Sequence, residues 1–287
     1  MAGERKQLTT ALISRGNSME QSSRLRGRVV LVTGVSRRVG IGAAMTRRLL
    51  AEGASLLATG WSKYDSEGEG RQPPEEDPAT LIKELDSTYG RLHYISADLA
   101  DPETPRRLVD KTVELFGTID VVVANHARGS VSPLEQVTHT DLDECWAVNA
   151  RGTLLLAQAF EKVYDATRPG GRLILMTSGQ HLRPMRRGIA YTVSKGAIQQ
   201  MTLSLSDFMA DKGITVNCIN PGPVDTKYAT GELHRSVERG FPAGRWGQPE
   251  DIARLVAWLA SDESQWITGQ TINCEGGWRG AVPREVP

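Results

Sequence analysis

The sequence predicts an α/β fold: a doubly wound parallel sheet of about seven strands with helices on both faces. Three observations carry that expectation. Apolar runs alternate with helical spacings along the chain, most of those runs are continuous, and glycines stand where helices would end. A continuous apolar strand needs cover on both faces, and right-handed strand–helix–strand crossovers supply it. Ligands of such sheets bind beyond the carboxyl ends of the strands, so functional residues are expected just after them.

Residues 1–26 carry Arg5, Lys6, Arg15, Arg24 and Arg26 against Glu4 and Glu20 with no strong apolar period. They read as an N-terminal tail, and 27–287 as a single domain. The first strand is RVVLVTG (28–34), followed by a helical spacing over 42–52 and a second strand, ASLLATG (54–60). Residues 60–78 are rich in Gly, Pro and acids and read as a loop. A helix is expected over 79–88, then RLHYISAD (91–98), a helix over 104–116 and IDVVVAN (119–125). The spacing next predicts a long helix over 142–164, the strand GRLILMTS (171–178) and a second long helix over 189–211. ITVNCIN (214–220), a helix over 251–260 and QTIN (270–273) complete the pattern, with Gly53, Gly90, Gly117 and Gly213 placed as C-terminal caps.

Composition narrows the function. The 34 basic and 34 acidic side chains cancel, 24% of residues are charged and 39% hydrophobic, which excludes a disordered chain and a globally basic nucleic-acid binder. No apolar run approaches the roughly 18 residues of a spanning helix, and MAGERKQLTTALISRGNS has no apolar signal core. Cys145, Cys218 and Cys274 lie far apart and make no close pair of metal ligands, so they read as reduced thiols of a cytoplasmic protein.

The first strand runs directly into TGVSRRVGIGAAMTRRLL, which puts Gly34, Gly40 and Gly42 in a strand-to-helix turn. A pyrophosphate needs backbone N–H groups at close range with a helix N-terminus behind them, and glycine permits that approach. The context points to a dinucleotide site. With this turn the sequence resembles the short-chain dehydrogenase/reductase family in its simple, single-domain, Rossmann-type branch, and within it the bacterial 3-oxoacyl-acyl-carrier-protein reductases. The resemblance covers residues 27–278.

It implies that Gly34, Ser36, Arg37, Arg38, Gly40, Ile41 and Gly42 hold the cofactor. The family usually has three residues between the first two glycines, whereas Val35–Val39 makes five and brings Arg37 and Arg38 near the nucleotide. Gly60 stands where NAD-preferring relatives place an acid for the ribose hydroxyls, and Trp61, Ser62 and Lys63 follow. With no carboxylate there and Arg37, Arg38 and Lys63 available to a 2′-phosphate, NADP(H) is favoured over NAD(H). By the same resemblance Asp98 and Leu99 border the adenine, Asn125 matches part of a family segment that here reads ANHA, and Pro221, Gly222, Val224 and Thr226 contact the nicotinamide end. His126 is expected to be a satisfied structural histidine.

AYTVSKGA places Tyr191 and Lys195 four apart, on one face of a predicted helix. An ammonium beside a phenol favours the phenolate form, so Lys195 can tune Tyr191 for proton transfer. Ser178 ends its strand thirteen residues earlier, at the family's spacing, where its hydroxyl can hold a substrate oxygen. Asn149, in WAVNARG, matches the family asparagine that supports the lysine through water. The implied activity is a ketoreductase or alcohol dehydrogenase with a Ser-Tyr-Lys-Asn tetrad, acting on a small-molecule or carrier-bound carbonyl as a homodimer or homotetramer. A non-catalytic NADP(H) sensor and an epimerase or dehydratase using the same tetrad remain open. Gln180, His181, Arg183, Arg186 and Arg187 make the segment after Ser178 polar, and KYATGELHRSVERGFPAGRW (227–246) is expected to form a mobile lid.

Overall fold

The computed structural model describes residues 24–61 and 78–281. Its strands are β1 (Val29–Thr33), β2 (Ser55–Gly60), β3 (Leu92–Ser96), β4 (Val121–Ala124), β5 (Gly171–Met176), β6 (Ile214–Asn220) and β7 (Thr271–Asn273). They form one parallel sheet in the order β3-β2-β1-β4-β5-β6-β7. Each lies inside a segment expected to be a strand. The chain walks outward from β1 to β3, returns, and walks the other way from β4. The seam between β1 and β4 is therefore where onward chains diverge and a cleft opens.

Period-two alternation sorts the strand side chains between two cores. Val30 and Val32 of β1 and Val121 and Val123 of β4 point to one face, which is covered by α1 (Ile41–Ala51) and α8 (Pro249–Ala260). Leu31, Val122, Leu173 and Leu175 point to the other, against α3 (Thr104–Phe116), α5 (Gly152–Val163) and α6 (Ile189–Ala210). The remaining helices are α2 (Pro78–Tyr89), α4 (His139–Cys145) and α7 (Gly231–Arg239). Pro249 opens α8, whose capping box pairs Gln248 with Asp251, and Gly117 closes α3 in the left-handed region at φ 78°.

Two expectations are corrected, the extent of the helix over 142–164 and the start of the domain. The helix expected over 142–164 is α4, a π turn (Trp146–Arg151) and α5 in succession. It starts earlier because Thr138 caps α4 in a box with Asp141. The segment 227–246 contains α7, which packs Val237 with Phe241, Trp246 and Ala229 in a small separate core.

The domain also begins before residue 27. Leu25 is fully buried in the α1–α8 core, and its N–H donates to Glu52 O at 3.0 Å. Arg24 grips the buried Glu52 carboxylate with two N–H donors, at 3.1 and 2.8 Å. The rest of the expected tail, 1–23, lies outside the described residues, as do Ser62 and Lys63. Leu25→Ala should destabilise the protein by roughly 2–5 kcal/mol, the range for deleting a buried leucine side chain. Urea unfolding would read this, and a change within about 0.5 kcal/mol would mean that Leu25 does not belong to the core.

Candidate active site

The ends of β1 and β4 are held together by side chains. Asn125 Nδ2 donates to Thr33 O and Gly34 O, both at 3.1 Å, and Thr33 Oγ1 accepts from the N–H groups of Asn125 and His126. His126 Nδ1 lies 2.8 Å from Thr33 Oγ1 and Nε2 lies 3.1 Å from Val148 O. Burial, reinforced by the charge on Lys195, lowers the His126 pKa to about 3, so the ring is neutral. It is a satisfied structural histidine, tying the glycine turn to the π turn that carries Asn149.

Above this seam the glycine turn opens α1. Gly34 sits at φ 75°, and a Cβ on Gly42 would drive into the Gly34 carbonyl oxygen. A Cβ on Gly60 would strike the Val35 carbonyl, so the ends of β1 and β2 approach as closely as backbone allows. A cleft of about 640 Å³ lies against them. Of the residues expected to hold the cofactor, it is lined by Gly34, Ser36, Arg37, Gly40, Ile41, Gly42, Gly60, Trp61, Asp98, Leu99, Asn125 and Thr226. Pro221, Gly222 and Val224 are not part of that lining. Val224 is buried and pairs with Gly247, while Gly222, at φ 61°, packs against Glu275 and donates its N–H to Asn220 Oδ1 at 3.0 Å.

Arg38 also stands outside the lining and is not an uncommitted base: its Nη1 meets Glu84 Oε2 of α2 at 2.7 Å. Arg37 reaches in another direction, Nη2 donating to Thr226 O at 2.9 Å. Arg128 and Glu144, which sequence reasoning missed, line the cleft as an ion pair. Their positions 16 residues apart on a loop and a helix offered no signal.

Beside the cleft, the end of β5 is bolted to α6. Lys195 Nζ donates to Met176 O at 2.8 Å, and Thr177 Oγ1 donates to Lys195 O at 2.8 Å. Ser178 follows directly, in extended conformation. Lys195 is 2% exposed and its ammonium lies 5.8 Å from the centre of the Tyr191 ring. Asn149, fully buried in the π turn, donates to Ser194 Oγ at 2.9 Å, and Ser194 Oγ donates to Tyr191 O at 2.7 Å. Arg128 clamps the same Asn149, its N–H donating to Oδ1 at 2.7 Å and its carbonyl accepting from Nδ2 at 2.9 Å. Thr177 and Ser194 are thus parts of the frame that spacing alone did not single out.

In the polar segment after Ser178, Gln180 and Arg183 are half-buried against the protein, while His181, Arg186 and Arg187 are exposed. Gln180 Nε2 donates to Thr177 Oγ1 and Gln199 Oε1, and His181 Nε2 lies 3.1 Å from Asn273 Oδ1. Arg183 donates to Trp278 O with its guanidinium 5.3 Å from the Trp278 ring centre.

Burial lowers the Lys195 pKa to about 8. An unfolded lysine titrates near 10.4, so between the two values the unfolded chain binds more protons and stability rises with pH. The protein should gain on the order of 3 kcal/mol relative to Lys195→Met between about pH 8 and pH 10.5. Denaturation of both without nucleotide would test this; parallel pH profiles would refute it.

The family model described as "Enoyl-(Acyl carrier protein) reductase" matches residues 34–279. The chain is 36% identical over 252 residues to the uncharacterized oxidoreductase YjdA of Bacillus subtilis, covering 88% of this chain and 96% of that protein. It is 32% identical over 281 residues to versicolorin reductase stcU of Emericella nidulans, covering 91% and 98%. Among solved structures, a blue fluorescent protein from a metagenomic library, in complex with NADPH, superposes with a TM-score of 0.79 at 32% identity, covering 90% of this chain and 100% of that one.

Proposed function

The chain belongs to the short-chain dehydrogenase/reductase family, and from that premise we propose that it is an NADP(H)-dependent ketoreductase working through Ser178, Tyr191, Lys195 and Asn149. The observation that carries the reading is the buried Lys195 ammonium beside the Tyr191 ring, at the end of the strand that delivers Ser178.

The cleft suits a dinucleotide. At Gly42 and Gly60 a Cβ would meet backbone, and Gly40 caps the start of α1 with no side chain of its own in the way. The nicotinamide supplies the hydride when bound. Tyr191 donates the proton that neutralises the developing alkoxide, and the Lys195 ammonium stabilises the negative charge left on the phenolate. Ser178 orients the carbonyl by donating to its oxygen. Asn149 fixes the turn of α6 that carries both Tyr191 and Lys195, through Ser194. The preference for NADP(H) is supported by the absence of a carboxylate at Gly60 and Trp61 and by the NADPH-bound relative. Ketoreduction is supported by the likeness to versicolorin reductase.

Tyr191→Phe keeps the ring and should cut turnover of a reducible ketone by roughly 10²- to 10⁴-fold while NADPH affinity survives. Near-normal turnover in that variant would sink the mechanism. Product analysis separates the alternatives, since epimerisation or dehydration leaves no net change in cofactor. A sensor would bind NADPH and turn over none of a broad ketone panel.

NADPH should bind at least about tenfold more tightly than NADH in fluorescence titration, a difference of about 1.4 kcal/mol; equal affinities would defeat the preference. Assembly as a dimer or tetramer is supported by apolar side chains left exposed on the long helices: Leu142, Trp146 and Leu154 on one, Val193, Leu203 and Phe208 on the other. Light scattering should report a dimeric or tetrameric mass; a monomer at micromolar concentration would contradict it.

A further inference from the structure

We propose that Arg37 is the cationic partner of the dinucleotide's pyrophosphate and not a reader of the adenosine 2′-phosphate. This rests on the reading that the cleft holds a nicotinamide dinucleotide. Three observations carry it.

The first is direction. Arg37 Nη2 donates to Thr226 O, in the segment that follows β6. Gly60 and Trp61, beside which a ribose 2′-group belongs, lie at the carboxyl end of β2. In the sheet β2 and β6 lie on opposite sides of β1, so the guanidinium has swung away from the adenosine side, across the middle of the cleft.

The second is reach. Five residues separate Gly34 from Gly40, and the Gly40 N–H turns back to Arg37 O at 3.0 Å. That bond folds 37–40 into a tight turn immediately before α1. Arg37 opens that turn, half-buried, and lines the cleft wall, while Arg38 and Val39 form its tip.

The third is charge. Among the described residues no carboxylate pairs with Arg37, whereas Arg38 meets Glu84 and Arg128 meets Glu144. The cleft carboxylate Asp98 accepts the Ala100 N–H at 2.8 Å. A guanidinium has five N–H donors, and a bond to one neutral carbonyl orients it while leaving the others for an anion. A pyrophosphate brings two negative charges to the one place where, among the described residues of the cleft wall, a cation is not already neutralised by an acid.

The test is nucleotide binding to the full chain, with thermal unfolding of the free variants as the check on folding. Arg37→Ala should weaken NADPH, NADH and ADP-ribose by a common factor of about tenfold or more, the scale of a charge-assisted hydrogen bond. The ratio of the NADH to NADPH dissociation constants should stay within about twofold of that for the unmodified protein. Arg37→Lys, which keeps the charge, should recover most of the loss. Arg37→Gln, which keeps an N–H donor for Thr226 O without the charge, should not. Selective loss of NADPH would make Arg37 a 2′-phosphate reader and overturn the proposal. Recovery by Gln as good as by Lys would reduce Arg37 to a structural strap, and undiminished binding in the Ala variant would also overturn it. If the unmodified protein binds none of the three nucleotides, the cofactor reading itself fails, a result distinct from every variant outcome.

Discussion

The seam between β1 and β4 is the constraint on which the site depends. Two parallel strands whose onward chains leave in opposite directions must part at their carboxyl ends, and their last carbonyls then lose ladder partners where water is being excluded. Asn125 meets that need with one amide, donating to the carbonyls of both Thr33 and Gly34. Thr33 and His126 extend the join sideways to Val148, next to Asn149. The cleft floor and the frame around Asn149 therefore share one hydrogen-bonded origin, and the buried histidine in it stays neutral because a charged ring would face both desolvation and the Lys195 ammonium.

Lys195 presents the complementary problem. An ammonium at 2% exposure is expensive unless its donors are used, and the donor to Met176 O uses only one of three. The protein accepts a lysine whose charge is easily lost, as its lowered pKa records, in exchange for a cation fixed beside a phenol. Holding it there takes rigid neighbours. Thr177 bonds the same helix at Lys195 O, and Asn149 reaches the helix through Ser194, so β5, the π turn and α6 locate one ammonium from three sides. The π turn matters because it shifts the register of the helix that carries Asn149, and such insertions recur at functional sites.

The sheet was legible because its inner strands are covered on both faces, which turns most of them into apolar runs, whereas the edge strands β3 and β7 are partly exposed. The glycine turn and the Tyr191–Lys195 spacing were legible because each is a local rule: backbone approach in one case, one helix face in the other. What escaped is non-local. Nothing in WAVNARG distinguishes a π turn from an α turn, since the inserted residue is set by packing. Arg38 reads as a free base until Glu84, 46 positions later, is seen beside it. Gln180, His181 and Arg183 read only as a polar stretch, since composition does not say which way a side chain points, and all three hydrogen-bond within the protein. The helix α7 was there to be found: Leu233 and Val237 are one turn apart, with Thr230 before them and Gly240 after.

The C-terminal segment shows how those hydrogen-bonded groups are used. β7 is three residues long and sits at the sheet edge, so its ladder contributes little anchoring. The residues around and after it compensate by fastening three separate stretches near Tyr191. Asn273 Oδ1 accepts from Asn220 Nδ2 at 3.1 Å and stands beside His181, joining the end of β6 to the turn after Ser178. Glu275 packs on Gly222 and pairs with Arg183 at 3.6 Å, which joins the same two stretches a second time. Trp278 Nε1 donates to Val237 O at 3.2 Å and Arg279 N to Gly240 O at 2.9 Å, and a Cβ on Gly240 would drive into the Gly280 carbonyl, so α7 is pinned as well. The strand end bearing Ser178, the turn at Gly222 and α7 are thereby held against a common strip of backbone. The expected lid, 227–246, is therefore fastened along the edge that meets Trp278 and Arg279.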